Sequence, residues 1–304
     1  MEKFKSFITE ETQEDYRVVV LSVEHGDKAI TSKRIKEESD KLGLANYVIP
    51  LDGANLSYDK TYKIHEAGDE KGFDISPSDT VVFVRGTPSR DSSLDLISEL
   101  EKIGICCVNP RLSINMAADK FRTYIKLKDY GLTQPKTVLI PNQDELENAV
   151  KKLDTKFPII MKTLRGSKGV GVLFIESERA LTSIVQLMYK TDSSSDLLIQ
   201  EYIKSEFDVR VIVLGGKIVG TMQRDVVEGD FRSNYSQGAK VKSYKLSDLE
   251  IEQSLLAAKA LDGILTAVDF IPSKNPKTEP PFILEVNSSP GSEGIEEASG
   301  KNII

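Results

Sequence analysis

The chain contains no tryptophan, only two histidines and only two cysteines in 304 residues. His25 and His65 stand in no metal-ligand spacing, so chemistry built on histidine is not expected, and both are read as surface residues. Cys106 and Cys107 are neighbours in the apolar stretch GICCVNP. Adjacent cysteines bridge only with strain, which excludes a disulfide framework and predicts two buried, reduced thiols. No apolar run approaches the ~20 residues of a membrane span. The N-terminal MEKFKSFITEETQEDYR lacks the apolar centre of a secretory signal, so a cytoplasmic protein that does not engage membranes is expected. A basic excess is also missing: the net charge is −7, against the sign that a non-specific nucleic-acid binder needs.

What is present suits a folded α/β chain. Its length exceeds one small core and predicts two or three units. Residues 1–15 read as a polar extension. Apolar strands at 16–23, 47–51, 79–85 and 105–108 alternate with helices over 31–43 and 92–103, the pattern of a mostly parallel sheet. No Gly-rich fingerprint follows the first strand, which speaks against a nicotinamide-binding layer. A helix over 112–131 follows. Beyond Pro135 come a strand at 136–140, a helix at 143–153, a strand–loop–strand unit, a helix near 178–189 and a strand in LLIQEYI. From Phe207 onward antiparallel strands dominate, two of them joined at Gly215-Gly216, a hairpin signal. A helix over 246–261 and two strands, TAVDFIP and PFILEVN, close the chain.

Several groups carry candidate chemistry. In Gly166-Ser167-Lys168-Gly169-Val170-Gly171 the glycines let backbone N–H groups approach a phosphate. A P-loop would need Ser or Thr after the lysine and then a helix. A lid between two strands fits better, and an ordinary hairpin turn fits as well. Lys162 interrupts an apolar strand and, with Lys120, suits phosphate oxygens; a lysine snorkelling from a half-exposed face is the other reading. Near the C-terminus Asp269, Glu285 and Asn287 lie in apolar strands, and Glu285 and Asn287 share one face as i and i+2. Oxygen ligands without His or Cys suit Mg²⁺, although a satisfied polar network at strand ends would look the same. Glu201-Tyr202-Ile203-Lys204 with Asp208 and Arg210 reads equally as a nucleotide-lining edge or a charged surface strand. Glu228-Gly229-Asp230-Phe231-Arg232-Ser233-Asn234 is either a solvated loop or a source of charge neutralisation from Arg232.

In this order the stretches AADKFRTYIKLKDYGL, IIMKTLRGSKGVGVLFIES, IQEYIK, FDVRVIVLGGKIVG, EGDFRSN and ILEVNSSPGSEGIE resemble the ATP-grasp superfamily, and within it the RimK group of glutamate ligases. The resemblance covers most of 117–300; the N-terminal part matches only in its pattern of elements. It implies an α/β (α+β) ATP-grasp fold with a Rossmann-like N-terminal layer (1–112) and two α+β units (113–200 and 201–304) clasping ATP.

By this resemblance Lys120 and Lys162, with the lid residues Gly166, Ser167, Lys168, Gly169 and Gly171, would contact phosphates. Glu201, Tyr202, Ile203 and Lys204 would line the adenine, and Asp208 the ribose. Arg232, Ser233 and Asn234 would lie near phosphates and substrate, with Arg210 and Arg232 as catalytic cations. Asp269, Glu285 and Asn287 would bind two Mg²⁺ or Mn²⁺ ions. The implied reaction joins a carboxylate to an amine through an acyl phosphate. Its partners would be glutamate and a protein, peptide or small molecule; a homo-oligomer, and an ATP-binding protein without turnover, are further readings. Three departures stand out. The link from Glu201 to Asp208 is short and lacks a glycine, the connector SKNPKTEPP is long, and the chain stops at Ile304, where a final helix is expected.

Overall fold

The computed structural model describes residues 16–24, 26, 29–166, 171–226 and 239–303. Four sheets organise them. The first is built from β1 (Arg17–Ser22), β2 (Ala45–Pro50), β6 (Thr80–Arg85) and β7 (Cys106–Val108), in the order β2-β1-β6-β7. All its pairings are parallel. Its strands are continuous apolar runs because both faces are covered. Val19, Leu21, Val82 and Val84 pack on one face, and Val18, Val20 and Val81 on the other. Helices Ile30–Lys41 and Asp91–Lys102 make the crossovers. Cys106 and Cys107 are buried and free, and burial pushes the Cys107 thiol well above its ordinary range.

Between β2 and β6 lies a three-stranded meander that the sequence pattern does not announce: β3 (Asn55–Asp59), β4 (Thr61–His65) and β5 (Phe73–Ile75). Its strands are short and polar, and only Leu56, Ile64, Tyr62, Phe73 and Ile75 reach the core. His65 belongs to this meander, where its ring bonds Ser57 Oγ and the Asp69 carbonyl. His25 and the 1–15 extension lie outside the described residues.

The expected helix over 112–131 is two helices, Arg111–Ala117 and Lys120–Asp129. Asp119 breaks it: its carboxylate accepts from the N–H groups of Phe121 and Arg122, an N-cap that starts a new helix at Lys120. The second sheet follows, β8 (Thr137–Ile140), β9 (Ile159–Thr163), β10 (Val172–Ile175) and β11 (Leu197–Glu201), in the order β10-β9-β11-β8 with antiparallel pairing. Helices Leu146–Leu153 and Glu178–Thr191 cover its apolar face. β11 ends at Glu201, earlier than the apolar run suggests, because its partner strands offer no pairing beyond Thr137 and Ile159.

The third sheet, β12 (Phe207–Leu214), β13 (Lys217–Asp225), β14 (Val241–Lys242), β15 (Leu265–Ile271) and β16 (Phe282–Asn287), is antiparallel in the order β14-β13-β12-β15-β16. Val209, Val211, Val213, Val268 and Phe270 of one face pack on the helix Asp248–Ala260. The chain closes with a helix at Glu293–Ser299, tied back to the first layer by the Arg34–Glu296 ion pair. Among the described residues no helix is long and apolar enough to cross a membrane.

One side chain welds the first layer to the third sheet. Asn109, fully buried after β7, accepts from the N–H groups of Ile264 and Leu265 at 2.7 and 2.8 Å and donates to the carbonyls of Leu265 and Ser288. Alanine there would strand four buried backbone groups, each costing about 1–3 kcal/mol when unsatisfied. Asn109→Ala should therefore destabilise the protein by about 3 kcal/mol or more. Thermal and urea unfolding check this; a melting temperature equal to wild type would show that the joint relies on other contacts.

Candidate active site

A cleft of about 1110 Å³ opens where the three layers meet. The second sheet contributes Lys162, Gln200 and, at the end of β11, Glu201; Tyr202 and Ile203 follow in extended chain. Lys120 enters from the start of its helix. The third sheet presents Asp208, Arg210, Arg224, Asp269, Glu285 and Asn287. The first layer adds the segments after β1 and β6.

Lys162 Nζ donates to Gln200 Oε1 at 2.7 Å, and Gln200 passes the chain on to Thr137 Oγ1 at 2.8 Å. Its nearest partner is thus neutral. Burial pushes the Lys162 ammonium down to about 8, with Glu285 opposing that shift and Lys120 adding to it. Lys120 is lowered for the same first reason, burial, and its Nζ reaches the Gly166 carbonyl at 3.3 Å. Lys120 also stands at a helix N-terminus, where the helix dipole repels a cation and attracts an anion. Two desolvated ammonium groups within electrostatic reach of each other, one of them at such a terminus, suit a phosphate.

The third sheet is organised by register. Asp208 pairs across the strands with Arg224, Arg210 with Asp269, and Asp269 with Glu285. All share the face opposite the apolar one, because Asp208 and Arg210 are i and i+2, as are Glu285 and Asn287. Arg210 binds Asp269 through two parallel hydrogen bonds of 2.7 and 2.6 Å. Arg224 grips Asp208 in the same way at 2.7 Å each and reaches Asp269 at 3.0 Å. Burial opposes ionisation of Asp269, but the two guanidinium groups outweigh it and hold the carboxyl well below its usual range. The two arginines balance the two buried aspartates. Glu285 is left without a close counter-ion: Arg210 lies 3.9 Å away, and its Oε1 accepts from Asn287 Nδ2 at 2.9 Å.

This arrangement fits a hard divalent cation. Glu285 and Asn287 present oxygen donors and one unbalanced negative charge to the cleft, with Asp269 as their cross-strand neighbour. Among the described residues no cluster of three or more His, Cys, Asp or Glu is formed. A donor set drawn from these residues would be two carboxylates and an amide, to be completed by phosphate oxygens or water, as Mg²⁺ usually requires.

Other expected site residues fall as follows. Glu201 lines the cleft while its N–H donates to the Lys136 carbonyl at 2.8 Å and its carboxylate accepts from the Lys136 N–H. Tyr202 packs edge-on against Phe174. Ile203 lines the cleft; Lys204 is exposed and does not. Asp208, expected at a ribose, has its carboxylate engaged by Arg224. Gly166 lines the cleft. Gly171 has φ +80°, and a Cβ there would collide with Thr163 Oγ1, so that glycine answers to strand packing in addition to any lid role. Ser167, Lys168 and Gly169 of the lid, and Arg232, Ser233 and Asn234, lie outside the described residues. Ile160, Val172, Ile271 and Leu284 form the apolar walls of the cleft, and Gln200 holds Lys162. Sequence reasoning passed over all five, although the walls carry the signal of alternate apolar positions on strands flanking Lys162 and Glu285.

This fold and site define a class, the ATP-grasp ligases. Residues 117–304 match the RimK-like ATP-grasp domain. A protein of Shewanella loihica named probable alpha-L-glutamate ligase is 35% identical over 210 residues, which span 68% of this chain and 67% of that protein. A second, from Pseudoalteromonas atlantica and named probable alpha-L-glutamate ligase 2, is 29% identical over 289 residues, covering 94% and 92% of the two chains. The crystal structure of a RimK domain ATP-grasp protein from Sphaerobacter thermophilus shares the fold, with a TM-score of 0.67 at 18% identity over 93% of this chain and 96% of that one. The chain belongs to the RimK-like ATP-grasp family, whose members are carboxylate–amine ligases that use ATP with Mg²⁺.

Arg224 makes a direct test of the charge ladder. Removing one partner of a buried pair leaves uncompensated charge and costs about 3–5 kcal/mol. Arg224→Met strands both Asp208 and Asp269. It should lower the melting temperature far more at pH 7 than near pH 3, where the stranded carboxylates can protonate. An equal loss at both pH values would mean that packing, not charge, is what Arg224 supplies.

Proposed function

We propose that the chain adds glutamate to the carboxyl terminus of a protein or peptide. Three units, 1–112, 113–200 and 201–304, clasp ATP and hold two Mg²⁺ ions in this reading. The observation that carries it is the pair of desolvated lysines facing Glu285, Asn287 and Asp269 across a cleft whose described lining contains neither histidine nor cysteine. Such a lining offers no thiol and no histidine-activated nucleophile. It suits a reaction whose covalent steps take place between substrates. The choice of glutamate leans on the names of the relatives.

In this mechanism a substrate carboxylate oxygen attacks the γ-phosphorus of ATP and ADP leaves. The resulting acyl phosphate is attacked at its carbonyl carbon by the amine of the second substrate, which gives up a proton as inorganic phosphate departs. Lys120 and Lys162 would hold the phosphates, and the apolar walls beside Tyr202 and Ile203 the adenine. Glu285 and Asn287, with Asp269 beside them, would hold Mg²⁺, which would neutralise phosphate charge. Arg210, which lines the cleft beside Asp269, would meet oxyanion charge there. Exclusion of water during turnover would protect the acyl phosphate from hydrolysis. Positioning and charge neutralisation thus supply the catalysis.

The test is a product assay across amino acids and acceptor peptides, with mass spectrometry of the adducts. ADP and inorganic phosphate should form with a mass gain of one or more glutamate residues on the acceptor, and Glu285→Gln should reduce turnover by about 100-fold or more, the scale on which one such electrostatic contact acts. AMP and pyrophosphate would overturn the acyl-phosphate route, and equal kcat/KM for glutamate, alanine and lysine would overturn glutamate. Adducts on small amines or small acids alone would exclude a protein or peptide acceptor.

Lys162 adds a pH signature. With its folded pKa near 8 against an ordinary 10.5, the ammonium carries a stability cost below pH 8 that is relieved as pH rises toward 10.5. Phosphate binding should restore the lost proton. Between pH 8 and 9 nucleotide binding should take up a proton, and affinity should fall as pH rises. Titration calorimetry in two buffers of different ionisation enthalpy reads the uptake, which should vanish in Lys162→Met. Uptake unchanged in that variant would assign the proton to another group.

A further inference from the structure

The first layer brings to the cleft a cation that the mechanism above leaves unused. Its sheet runs β2-β1-β6-β7, so the chain leaves β1 toward one side and β6 toward the other. The crevice between the carboxyl ends of β1 and β6 is therefore the topological switch point, where open parallel sheets bind ligands. Arg85 is the last residue of β6 and lines the cleft at that point.

Arg85 is only 6% exposed. Its Nη2 donates to the Pro290 carbonyl at 2.6 Å, its Nε has no partner, and among the described residues it forms no ion pair. A desolvated guanidinium without a counter-ion is costly. Burial accordingly pushes Arg85 down to about 10, with Glu24 and Glu293 pulling it back from a distance. A snorkelling or surface role does not account for this, because the head group itself is enclosed. The contact to Pro290 satisfies one of five N–H groups. The rest of the fork has the geometry for a planar oxyanion.

The neighbourhood distinguishes which anion. The phosphate-type cations, Lys120 and Lys162, belong to the second sheet and its flanking helix, beside Glu285. Arg85, at the end of β6, lies within electrostatic reach of two carboxylates that also line the cleft, Glu24 and Glu293. That sign pattern rejects a multiply charged phosphate and accepts a singly charged carboxylate, above all one on a molecule that also carries an ammonium group.

We propose that Arg85 is a specificity residue that binds a non-reacting carboxylate of a substrate other than ATP, at the switch point between β1 and β6. The inference rests on the ligase reading for its meaning, and the carboxylate belongs either to the incoming amino acid or to the acyl substrate. Gly86 reinforces the placement: its N–H donates to Ser289 Oγ at 2.7 Å, so the end of β6 is fixed against the turn that follows the metal-binding strand β16. A carboxylate anchored on Arg85 is thereby held in register with the reacting centre.

The experiment measures ligand-induced melting shifts and calorimetric affinities in the presence of MgADP. The probes are the free amino acids, glutamate-terminated dipeptides, and the carboxamides of both. Wild type should bind at least one free carboxylate and discriminate against its carboxamide by 10-fold or more. Arg85→Gln should lose that binding by 10-fold or more while its affinity for MgADP stays within twofold, and Arg85→Lys should recover part of it. Selective binding of amino acids or of dipeptides tells which substrate supplies the carboxylate. Should Arg85→Gln not fold, Arg85→Lys decides, since a cation without the fork must still weaken the carboxylate with MgADP unaffected. Wild-type carboxylate affinity in the variants, an equal loss of MgADP, or no carboxylate bound by wild type overturns the proposal. Carboxylate binding lost in Arg85→Gln, with no phosphate release by wild type, would instead overturn the ligase reading alone.

Discussion

The site depends on Arg224. It is an arginine in the middle of a sheet, 3% exposed, holding Asp208 on one neighbouring strand and Asp269 one strand further on. Burial alone favours the neutral acid at Asp269. Arg210 and Arg224 outweigh it and keep that carboxyl charged, and the face of β12, β13, β15 and β16 becomes a ladder of paired acidic and basic side chains. Glu285 is the one member left over. A buried ion pair is seldom a net gain in stability over an apolar core. Here the return is a carboxylate beside Asn287 that is only loosely paired, with Arg210 3.9 Å away, and a neighbouring Asp269 kept ionised.

The opposite wall shows the same logic with the sign reversed. Lys120 and Lys162 are held by neutral partners, the Gly166 carbonyl and Gln200, and both ammonium groups are lowered by burial. The cleft is therefore polarised before any ligand enters, positive on the side of the second sheet and negative at the end of β16. Catalysis by a preorganised field needs this property, since charges already fixed need not reorganise during reaction. It also explains how a chain with two histidines and two inert, buried thiols can be an enzyme.

Most of the architecture was readable from patterns with a strong physical cause. The apolar runs of β1 and β6 signal a parallel sheet covered on both faces, and Gly215-Gly216 signals the β12–β13 hairpin. The meander β3–β5 was not readable, because its strands are polar and only a few side chains face inward. Nor was the break at Asp119, where a cap residue interrupts an otherwise continuous helical pattern. In the site, i and i+2 spacing brought Glu285 and Asn287 to one face, but spacing says nothing of cross-strand register. The engagement of Asp208 by Arg224 follows only once β12 and β13 are paired. Gln200 was invisible for a similar reason: its role exists only because β11 lies beside β9, where Leu198 pairs with Lys162 and Gln200 with Ile160, which makes Lys162 the diagonal neighbour of Gln200.

The same limit applies between layers, where function is decided. Arg85 looks from the sequence like the charged end of the strand DTVVFVR, and Asn109 like a loop residue after β7. Both are instead joints. Asn109 holds the start of β15 and the Ser288 carbonyl, while Arg85 and Gly86 hold Pro290 and Ser289 of the same turn. That turn directly follows Glu285 and Asn287. The layer with the least family likeness in its sequence is thus fastened, within a few residues, to the strand that carries the metal-type ligands. Variation elsewhere in the first layer can change what is bound without moving the groups that react, as long as the Asn109 and Arg85 side chains and the Gly86 N–H keep these bonds to the third sheet and its turn.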